Sequence, residues 1–348
     1  MRARTLLGIT LALVAGGCDP TVWDTLRADA PVIVIRSPGG PSASAFGSVL
    51  TAYDVTIDGV RSSRLAIAGG SLAGTGSAYW VHPAYAGLEG TDPMLRAGGA
   101  ALFVGCEDGE CADGHGASIA AFPEWVAGDG SVFHGCIAAP SRSTGSVQIQ
   151  CEDQLPVFQI IAGPGGEDLG ASAAGIAHPR HRVGAALFGA PEASSGDGAI
   201  YRLPIGGGAP LRIDLSGAAA PAGGRIGTSV AVAPLSDRAV RFATRASYAS
   251  GDRVIVGTID IDDAAVTTVV IEGCIEGPSG FGAALALGDL DGDGTPDLAV
   301  GTSTEAMEQR IRVYDGATLP AATSCGDPAQ PAPAATLGCE DLADADVT

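Results

Sequence analysis

The chain has 348 residues, of which 46% are hydrophobic, and it carries a formal net charge of −20 from 19 basic and 39 acidic residues. All the basic residues are Arg, and the lack of both Lys and Asn indicates a GC-rich genome, not a function. So acidic a chain argues against a nucleic-acid partner, because binding to phosphates depends on clustered Lys and Arg. The 52 Gly and 22 Pro approach a disordered composition. The hydrophobic fraction is nevertheless ample for a core, and we expect a folded all-β protein.

The N-terminus predicts an export signal that ends in a lipid-modified cysteine. Arg2 and Arg4 precede a short apolar run over residues 6–14, and small residues then lead to Cys18. This order is typical of a cleaved secretory signal, and the run is too short to span a bilayer. Residues 15–18 resemble the lipobox of bacterial lipoproteins, although Ala15 stands where Leu is most common. An ordinary cleaved signal with an incidental cysteine is the alternative.

The lipobox resemblance implies a signal peptide over residues 1–17 and acylation of Cys18. The protein would then be exported and lipid-anchored to a bacterial membrane, facing the periplasm or the cell surface. Cleavage would remove two Arg and no acidic residue, which changes the net charge from −20 to −22. Residues 18–45 are rich in Pro and Ser and predict a tether, with one strand over residues 31–36.

A repeat of about 55 residues organises the chain from residue 46 onward. Five segments begin with a Gly, a small residue and a short apolar run, and their glycines are Gly47, Gly116, Gly170, Gly227 and Gly282. Each segment leads to a turn and then to a short alternating strand, and these strands cover residues 77–81, 146–150, 199–203, 253–256 and 310–314. A unit of this length with about four strands is the size of one β-propeller blade. The sequence therefore predicts a β-propeller over residues 46–348 with five visible repeats.

The chain end predicts a sixth repeat that stops early. Residues 337–346 have the pattern of a repeat opening but end before an acidic loop. Either the sixth repeat is truncated, or this segment is closing material. The strand at residues 31–36 could complete the last blade, so the number of blades is left open.

The last repeat carries a specific motif. The residues concerned are Phe281-Gly282, the run Gly-Asp-Leu-Asp-Gly-Asp-Gly-Thr-Pro-Asp-Leu-Ala-Val-Gly over residues 288–301, and Ile-Arg-Val-Tyr-Asp-Gly over residues 311–316. Phe188-Gly-Ala-Pro191 gives the other half of the pattern in an earlier repeat. This pattern resembles the FG-GAP repeat, the type that builds the N-terminal propeller of integrin α chains. The resemblance implies a calcium-binding β-hairpin between two strands of a blade.

The residue types in this loop suit a hard cation. Carboxylates occupy positions 1, 3, 5 and 9, which are Asp289, Asp291, Asp293 and Asp297. Gly294 permits the sharp turn, and the carbonyl of Thr295 is a further expected ligand. An EF-hand would need Glu at position 12, where Val300 stands. We predict Ca²⁺, which takes six to eight oxygen ligands. A metal-free acidic turn and Mg²⁺ are the alternatives.

A weaker candidate lies in the first repeat. The same positions hold Asp54, Thr56, Asp58 and Ser62, so every ligand position carries an oxygen but only two carry charge. The equivalent stretches of the middle repeats, residues 177–181 and 233–237, lack the motif, and we predict no metal there.

Seven cysteines besides Cys18 fit an exported protein, in which disulfides are expected. Three local pairs are plausible from their spacing: Cys106 with Cys111, Cys136 with Cys151, and Cys325 with Cys339. This pairing leaves Cys274 over. A zinc site at Cys106, Cys111 and His115 lacks a fourth ligand at zinc-like spacing.

No catalytic motif stands out in the sequence. The chain has no G-x-S-x-G elbow, H-E-x-x-H helix or Gly-rich phosphate loop. The leading hypothesis is that the chain is a calcium-binding module. Its role would be adhesion to, or binding of, another protein or a glycan. The alternative is a propeller-type enzyme that is carbohydrate-active or cleaves phosphoesters, since propellers also host catalysis. Aromatic side chains such as Trp125 could stack on a sugar, although half-buried packing is the commoner role.

Overall fold

The structure is a computed structural model, and it describes fifteen stretches of the chain. They are residues 49–57, 60–69, 77–81, 101–104, 117–142, 144–152, 158–161, 165–175, 186–203, 208–213, 215, 222–260, 269–303, 310–319 and 331–337. The predictions for the signal peptide, Cys18, the tether and the strand at residues 31–36 lie outside these residues.

Strands make up nearly all of the regular secondary structure of the described chain, and they form five four-stranded sheets. The first two sheets contain β1 (Val49–Ile57), β2 (Val60–Gly69), β3 (Ser77–Val81), β4 (Ala101–Val104), β5 (Ala120–Val126), β6 (Val132–Pro140), β7 (Val147–Cys151) and β8 (Phe158–Ile161). The third and fourth contain β9 (Ser172–Gly175), β10 (Ala186–Ala190), β11 (Ala199–Arg202), β12 (Leu211–Ile213), β13 (Val230–Pro234), β14 (Ala239–Tyr248), β15 (Gly251–Asp260) and β16 (Val270–Gly277). The fifth contains β17 (Phe281–Gly288), β18 (Asp297–Thr302), β19 (Ile311–Tyr314) and β20 (Ala335–Leu337).

Every sheet is an antiparallel meander whose strands follow chain order, for example β17-β18-β19-β20. The third strand of each sheet falls on or beside the alternating segment predicted from the repeat. The segments at 77–81 and 199–203, for instance, correspond to β3 and β11. The predicted all-β class with four-stranded repeats is confirmed.

The sheets pack in chain order through their first strands. Strand β1 contacts β5, β5 contacts β9, β9 contacts β13, and β13 contacts β17. The hydrophobic core is divided accordingly into four clusters, each of which joins one sheet to the next. Tyr53 of the first sheet shares a cluster with Ile137 of the second, and Val254 of the fourth shares one with Phe281 of the fifth. Successive four-stranded meanders that bury their faces on each other form a β-propeller.

Inner strands are apolar on both faces because each lies between two neighbouring sheets. In β10, Phe188 belongs to the cluster shared with the second sheet, whereas the adjacent Leu187 belongs to the cluster shared with the fourth. Both side chains are at most 1% exposed. Since successive side chains of a strand point to opposite faces, this explains the unbroken apolar run of residues 186–190.

Two segments depart from the simple repeat. Leu337, predicted at the opening of a sixth repeat, instead ends β20 and pairs with Ile311 of the fifth sheet. The rest of that predicted repeat lies outside the described residues. Between β10 and β11 the chain forms a short helical segment, α1 (Ala193–Gly196). Ser194 and Ser195 have φ of 52° and 63°, so this segment is a left-handed turn and not an ordinary helix.

Candidate metal centre

The acidic loop joins β17 to β18 in the fifth sheet. The last pair of the hairpin is Gly288 with Asp297, so residues 289–296 form the connection. Gly292 and Gly294 have φ of 87° and 89°, a backbone conformation that residues with a side chain adopt at a cost. The backbone turns at Gly292 and Gly294 fold the loop back on itself and bring its carboxylates together.

Backbone N–H groups of the loop hold its carboxylates in place. Asp289 accepts bonds on its two oxygens from the N–H groups of Gly292 (2.7 Å) and Gly294 (3.1 Å). The N–H of Asp293 donates to Asp291 Oδ1 at 3.0 Å, and the N–H of Thr295 donates to Asp293 Oδ1 at 2.6 Å. Such local bonds fix where a carboxylate points and leave lone pairs for a further partner.

Asp297 is the buried member of the set and is only 3% exposed. Its Oδ2 accepts a bond from the N–H of Leu290, and its Oδ1 accepts one from the N–H of Gly316, both at 2.8 Å. Asp297 thus connects the start of the acidic loop to the turn that follows β19.

The carboxylates form two overlapping groups of three. In each group, one oxygen from every residue lies within 4.8 Å of the others: Asp289, Asp291 and Asp297 in the first, and Asp291, Asp293 and Asp315 in the second. Oxygens that bind one Ca²⁺ at about 2.3–2.6 Å can be no more than about 5 Å apart, so both groups fit a hard cation. An all-oxygen, carboxylate-rich donor set favours Ca²⁺, Mg²⁺ or Mn²⁺ over softer metals.

Of the five residues predicted from the sequence, four are brought together by their carboxylates. Thr295 lies in the same loop and donates its N–H to Asp293, and the role of its carbonyl stays a prediction. Asp315 was missed because it follows β19, outside the acidic loop. The repeat motif does include Tyr314-Asp315-Gly316, and the antiparallel pairing of β18 with β19 places this turn beside Asp297.

The weaker candidate in the first sheet has a different geometry. Asp54 and Thr56 lie in β1 and Ser62 lies in β2, while Asp58 is outside the described residues. The strands pair up to Ile57 and Val60, so only two residues separate them, compared with eight in the fifth sheet. In the backbone register, Ser62 pairs with Val55, and Asp54 pairs with Ser63. The second metal site stays a prediction, and the strand register does not favour it.

Three of the predicted disulfide-forming and leftover cysteines lie among the described residues. Cys136 in β6 and Cys151 in β7 stand opposite each other and form a disulfide. Cys274 is also disulfide-bonded, so the expectation that it is left over was wrong and the set of three local pairs is incomplete. Cys106, Cys111, Cys325 and Cys339 lie outside the described residues.

Trp125 does not serve as an exposed stacking surface. It is 1% exposed and packs against Phe133, with 6.2 Å between the ring centroids. Of the described residues, none belongs to a helix long and apolar enough to cross a membrane.

Comparison with known proteins agrees with this geometry. Residues 281–317, which contain the first three strands of the fifth sheet and the acidic loop, match the family model of the FG-GAP repeat. Residues 281–317 therefore carry an FG-GAP repeat, and the succession of four-stranded sheets makes the fold a β-propeller. No curated protein matches the chain. The β-propeller domain of Nup133 from Vanderwaltozyma polyspora is similar at 10% identity and a TM-score of 0.38, over 82% of this chain and 73% of that one. The fold assignment depends on the sheets and not on this likeness.

Proposed function

We propose that this protein is an exported, lipid-anchored, calcium-binding β-propeller that acts as a binding or adhesion module. The observation that carries the proposal is the acidic loop of the fifth sheet, in which several carboxylates converge within 4.8 Å. Three like charges so close together in each group repel one another, and a dication would relieve that repulsion. The FG-GAP match over the same residues supports the assignment.

The carboxylates of Asp289, Asp291, Asp293 and Asp297, with the carbonyl of Thr295, would hold the ion. A bound dication would supply charge neutralisation and a crosslink between loop segments. Ca²⁺ suits the site better than Mg²⁺, since Mg²⁺ keeps several waters and rarely binds a cage of many protein oxygens. The role we assign to the ion is structural: it would hold the β17–β18 hairpin in one conformation.

Thermal unfolding in EDTA and in CaCl₂ tests the calcium proposal. At 100 times the Kd, a ligand that binds only the folded state adds about 2.7 kcal/mol to the free energy of unfolding. We expect Ca²⁺ to raise the Tm of the wild type, Mg²⁺ at the same concentration to raise it less, and Asp291→Asn to abolish the calcium effect. Equal shifts in wild type and variant would show that the ion acts elsewhere.

The export and anchoring part of the proposal depends on the N-terminal sequence. One acyl chain gives only marginal membrane binding, whereas a multiply acylated cysteine anchors a protein stably. We expect the full chain, expressed in a bacterium, to fractionate with membranes and to incorporate labelled fatty acid. Cys18→Ala should end both. Fatty-acid labelling that persists in the variant would contradict lipidation at Cys18.

The loops between strands would present the binding surface, as is usual for a rigid β scaffold. The immobilised propeller should retain a specific protein or glycan from a panel without chemical change to it. Turnover of polysaccharides or phosphoesters by the purified protein, lost on single acidic substitutions outside residues 289–297, would instead favour the enzyme hypothesis.

A further inference from the structure

Arg241 joins the fourth sheet to the candidate metal centre of the fifth. It lies in β14 and is only 6% exposed. Its Nη1 atom donates to the carbonyl of Pro296 at 2.7 Å and to the carbonyl of Gly316 at 3.1 Å. Both carbonyls are adjacent to acidic residues of the site, because Pro296 precedes Asp297 and Gly316 follows Asp315.

These contacts fasten together the two chain segments that carry the carboxylates. Gly316 is held from two sides: its N–H donates to Asp297, and its carbonyl accepts from Arg241. The loop segment is likewise held at Pro296 by the same nitrogen of Arg241. The distance between the acidic loop and Asp315 is therefore set by a side chain from the neighbouring sheet.

The guanidinium of Arg241 is itself held in one orientation. Its Nε donates to Glu272 Oε2 at 2.6 Å, and the hydroxyl of Thr258 donates to Glu272 Oε1 at 2.5 Å. Glu272 balances the charge of Arg241, and a planar guanidinium fixed at Nε aims its remaining donors in known directions.

We infer that Arg241 is a positioning residue for the cation site and that it couples cation binding to the packing of the fourth sheet on the fifth. The inference rests on the calcium binding proposed above. Arg241 acts through the two carbonyls and is not a ligand. Coupling of this kind is reciprocal, so a cation that tightens the site must also stabilise the Arg241 contacts.

The direction in which the Kd for Ca²⁺ changes on removal of Arg241 distinguishes a positioning role from a purely electrostatic one. A buried cationic side chain near a dication opposes its binding, so removal of the charge alone would tighten Ca²⁺. If Arg241 positions the carbonyls, its removal must weaken Ca²⁺ binding instead. Arg241→Gln removes both the positive charge and the planar set of guanidinium donors. Arg241→Lys keeps the charge but also removes that set of donors. Both variants should therefore bind Ca²⁺ more weakly than the wild type.

Arg202 provides a matched control. It is also buried, at 1% exposed, and it bridges two sheets by donating from Nη1 to the carbonyl of Asp260 at 3.0 Å. That contact joins the third sheet to the fourth, away from the acidic loop. Arg202→Gln therefore reports the general cost of losing a buried inter-sheet arginine.

Calorimetric titration of Ca²⁺ into the metal-free full chain tests the inference. We expect Arg241→Gln and Arg241→Lys to raise the Kd about tenfold or more, a coupling in the usual range. Arg202→Gln should keep the wild-type Kd, and the calcium-dependent rise in Tm should shrink only in the Arg241 variants. Thr258→Val, which keeps both charges but removes the hydrogen bond that orients Glu272, should raise the Kd by a smaller factor.

The outcomes distinguish this inference from the calcium proposal. If the wild type binds Ca²⁺ and Arg241→Gln binds it equally or more tightly, the inference is overturned and the calcium proposal stands. If the wild type gives no heat, both fail. If neither Arg241 variant folds, Thr258→Val decides the matter, and an unchanged Kd in that variant overturns the inference.

Discussion

Asp297 accepts a hydrogen bond at Oδ1 from the backbone N–H of Gly316, 2.8 Å away, and this contact joins the acidic loop to the turn after β19. The bond is buried, and the second oxygen of Asp297 accepts from the N–H of Leu290. With a donor on each oxygen, Asp297 has a structural role that does not depend on a bound cation. The exposed carboxylates of Asp289, Asp291 and Asp293 accept their bonds from N–H groups of the loop itself.

Asp297→Ala should therefore destabilise the metal-free protein, whereas Asp291→Ala should not. Loss of the carboxylate leaves the buried N–H of Gly316 without its acceptor, at a cost of at least about 1–3 kcal/mol. Asp291 is exposed, so water can replace it and the change should stay within about 0.5 kcal/mol. Urea unfolding in EDTA measures both. Equal losses in the two variants would contradict the distinction.

Gly316→Ala should disturb the same junction by steric conflict. A Cβ at this position would lie 2.2 Å from the carbonyl oxygen of Pro296 and 2.8 Å from Nη1 of Arg241. Overpacking of this kind typically costs about 1–3 kcal/mol. Gly288→Ala is the matched control, since a Cβ there meets nothing within 4 Å. Thermal unfolding of both variants gives the comparison, and a Tm of Gly316→Ala equal to that of Gly288→Ala would contradict this close approach.

Arg245→Met should be strongly destabilising because it leaves a buried carboxylate without its counter-charge. Arg245 Nη2 lies 2.7 Å from Asp252 Oδ2, and the Asp252 side chain is 1% exposed. Breaking a buried pair by removing one partner costs about 3–5 kcal/mol.

The exposed pair of Arg225 with Glu192 is the control for that substitution, with side chains 54% and 47% exposed. Arg225→Met should cost less than about 1 kcal/mol. Denaturant unfolding at neutral pH compares the two variants, and a loss for Arg245→Met no larger than that for Arg225→Met would show that Asp252 is not held as described.

Tyr201 should make the protein sensitive to alkali. Burial, and then the hydrogen bond that its hydroxyl donates to Glu167, raise the pKa of Tyr201. The unfolded chain loses this proton first as the pH rises, so the free energy of unfolding falls above the ordinary tyrosine pKa of about 10. Below that pH the contribution is fully present.

Tyr201→Phe removes this titration, and its free energy of unfolding should fall less steeply above about pH 10 than that of the wild type. Urea unfolding between about pH 8 and 11 measures the slope. Burial also raises the pKa values of Tyr248 and Tyr314, so the variant should retain part of the alkaline loss. A slope identical to that of the wild type would contradict the role of Tyr201.

Features encoded in local sequence could be predicted, and contacts between distant segments could not. The repeat located the third strands closely, as for residues 310–314 and β19, because short apolar runs between Gly and Asp turns are local signals. The acidic loop was found for the same reason. Arg241 is 55 residues from Pro296 and 75 from Gly316, and no local pattern marks such a contact.

The first sheet shows where local pattern misleads. Asp54, Thr56, Asp58 and Ser62 match the spacing of the acidic loop. The strands nevertheless pair as far as Ile57 and Val60. An Asp-Gly pair at residues 58 and 59 is a strong signal for a tight two-residue hairpin, which competes with a longer metal-binding loop. Spacing alone does not reveal which of the two geometries a strand pair adopts.

Calorimetric titration of Ca²⁺ into the metal-free wild type and into Asp289→Asn tests the central claim most directly. Asp289 belongs to the group with Asp291 and Asp297, and both of its oxygens are held by loop N–H groups. We predict saturable binding to the wild type that Mg²⁺ displaces poorly, and its loss in the variant. An absence of heat with the wild type, or the same Kd in both proteins, would contradict a calcium site in the fifth sheet.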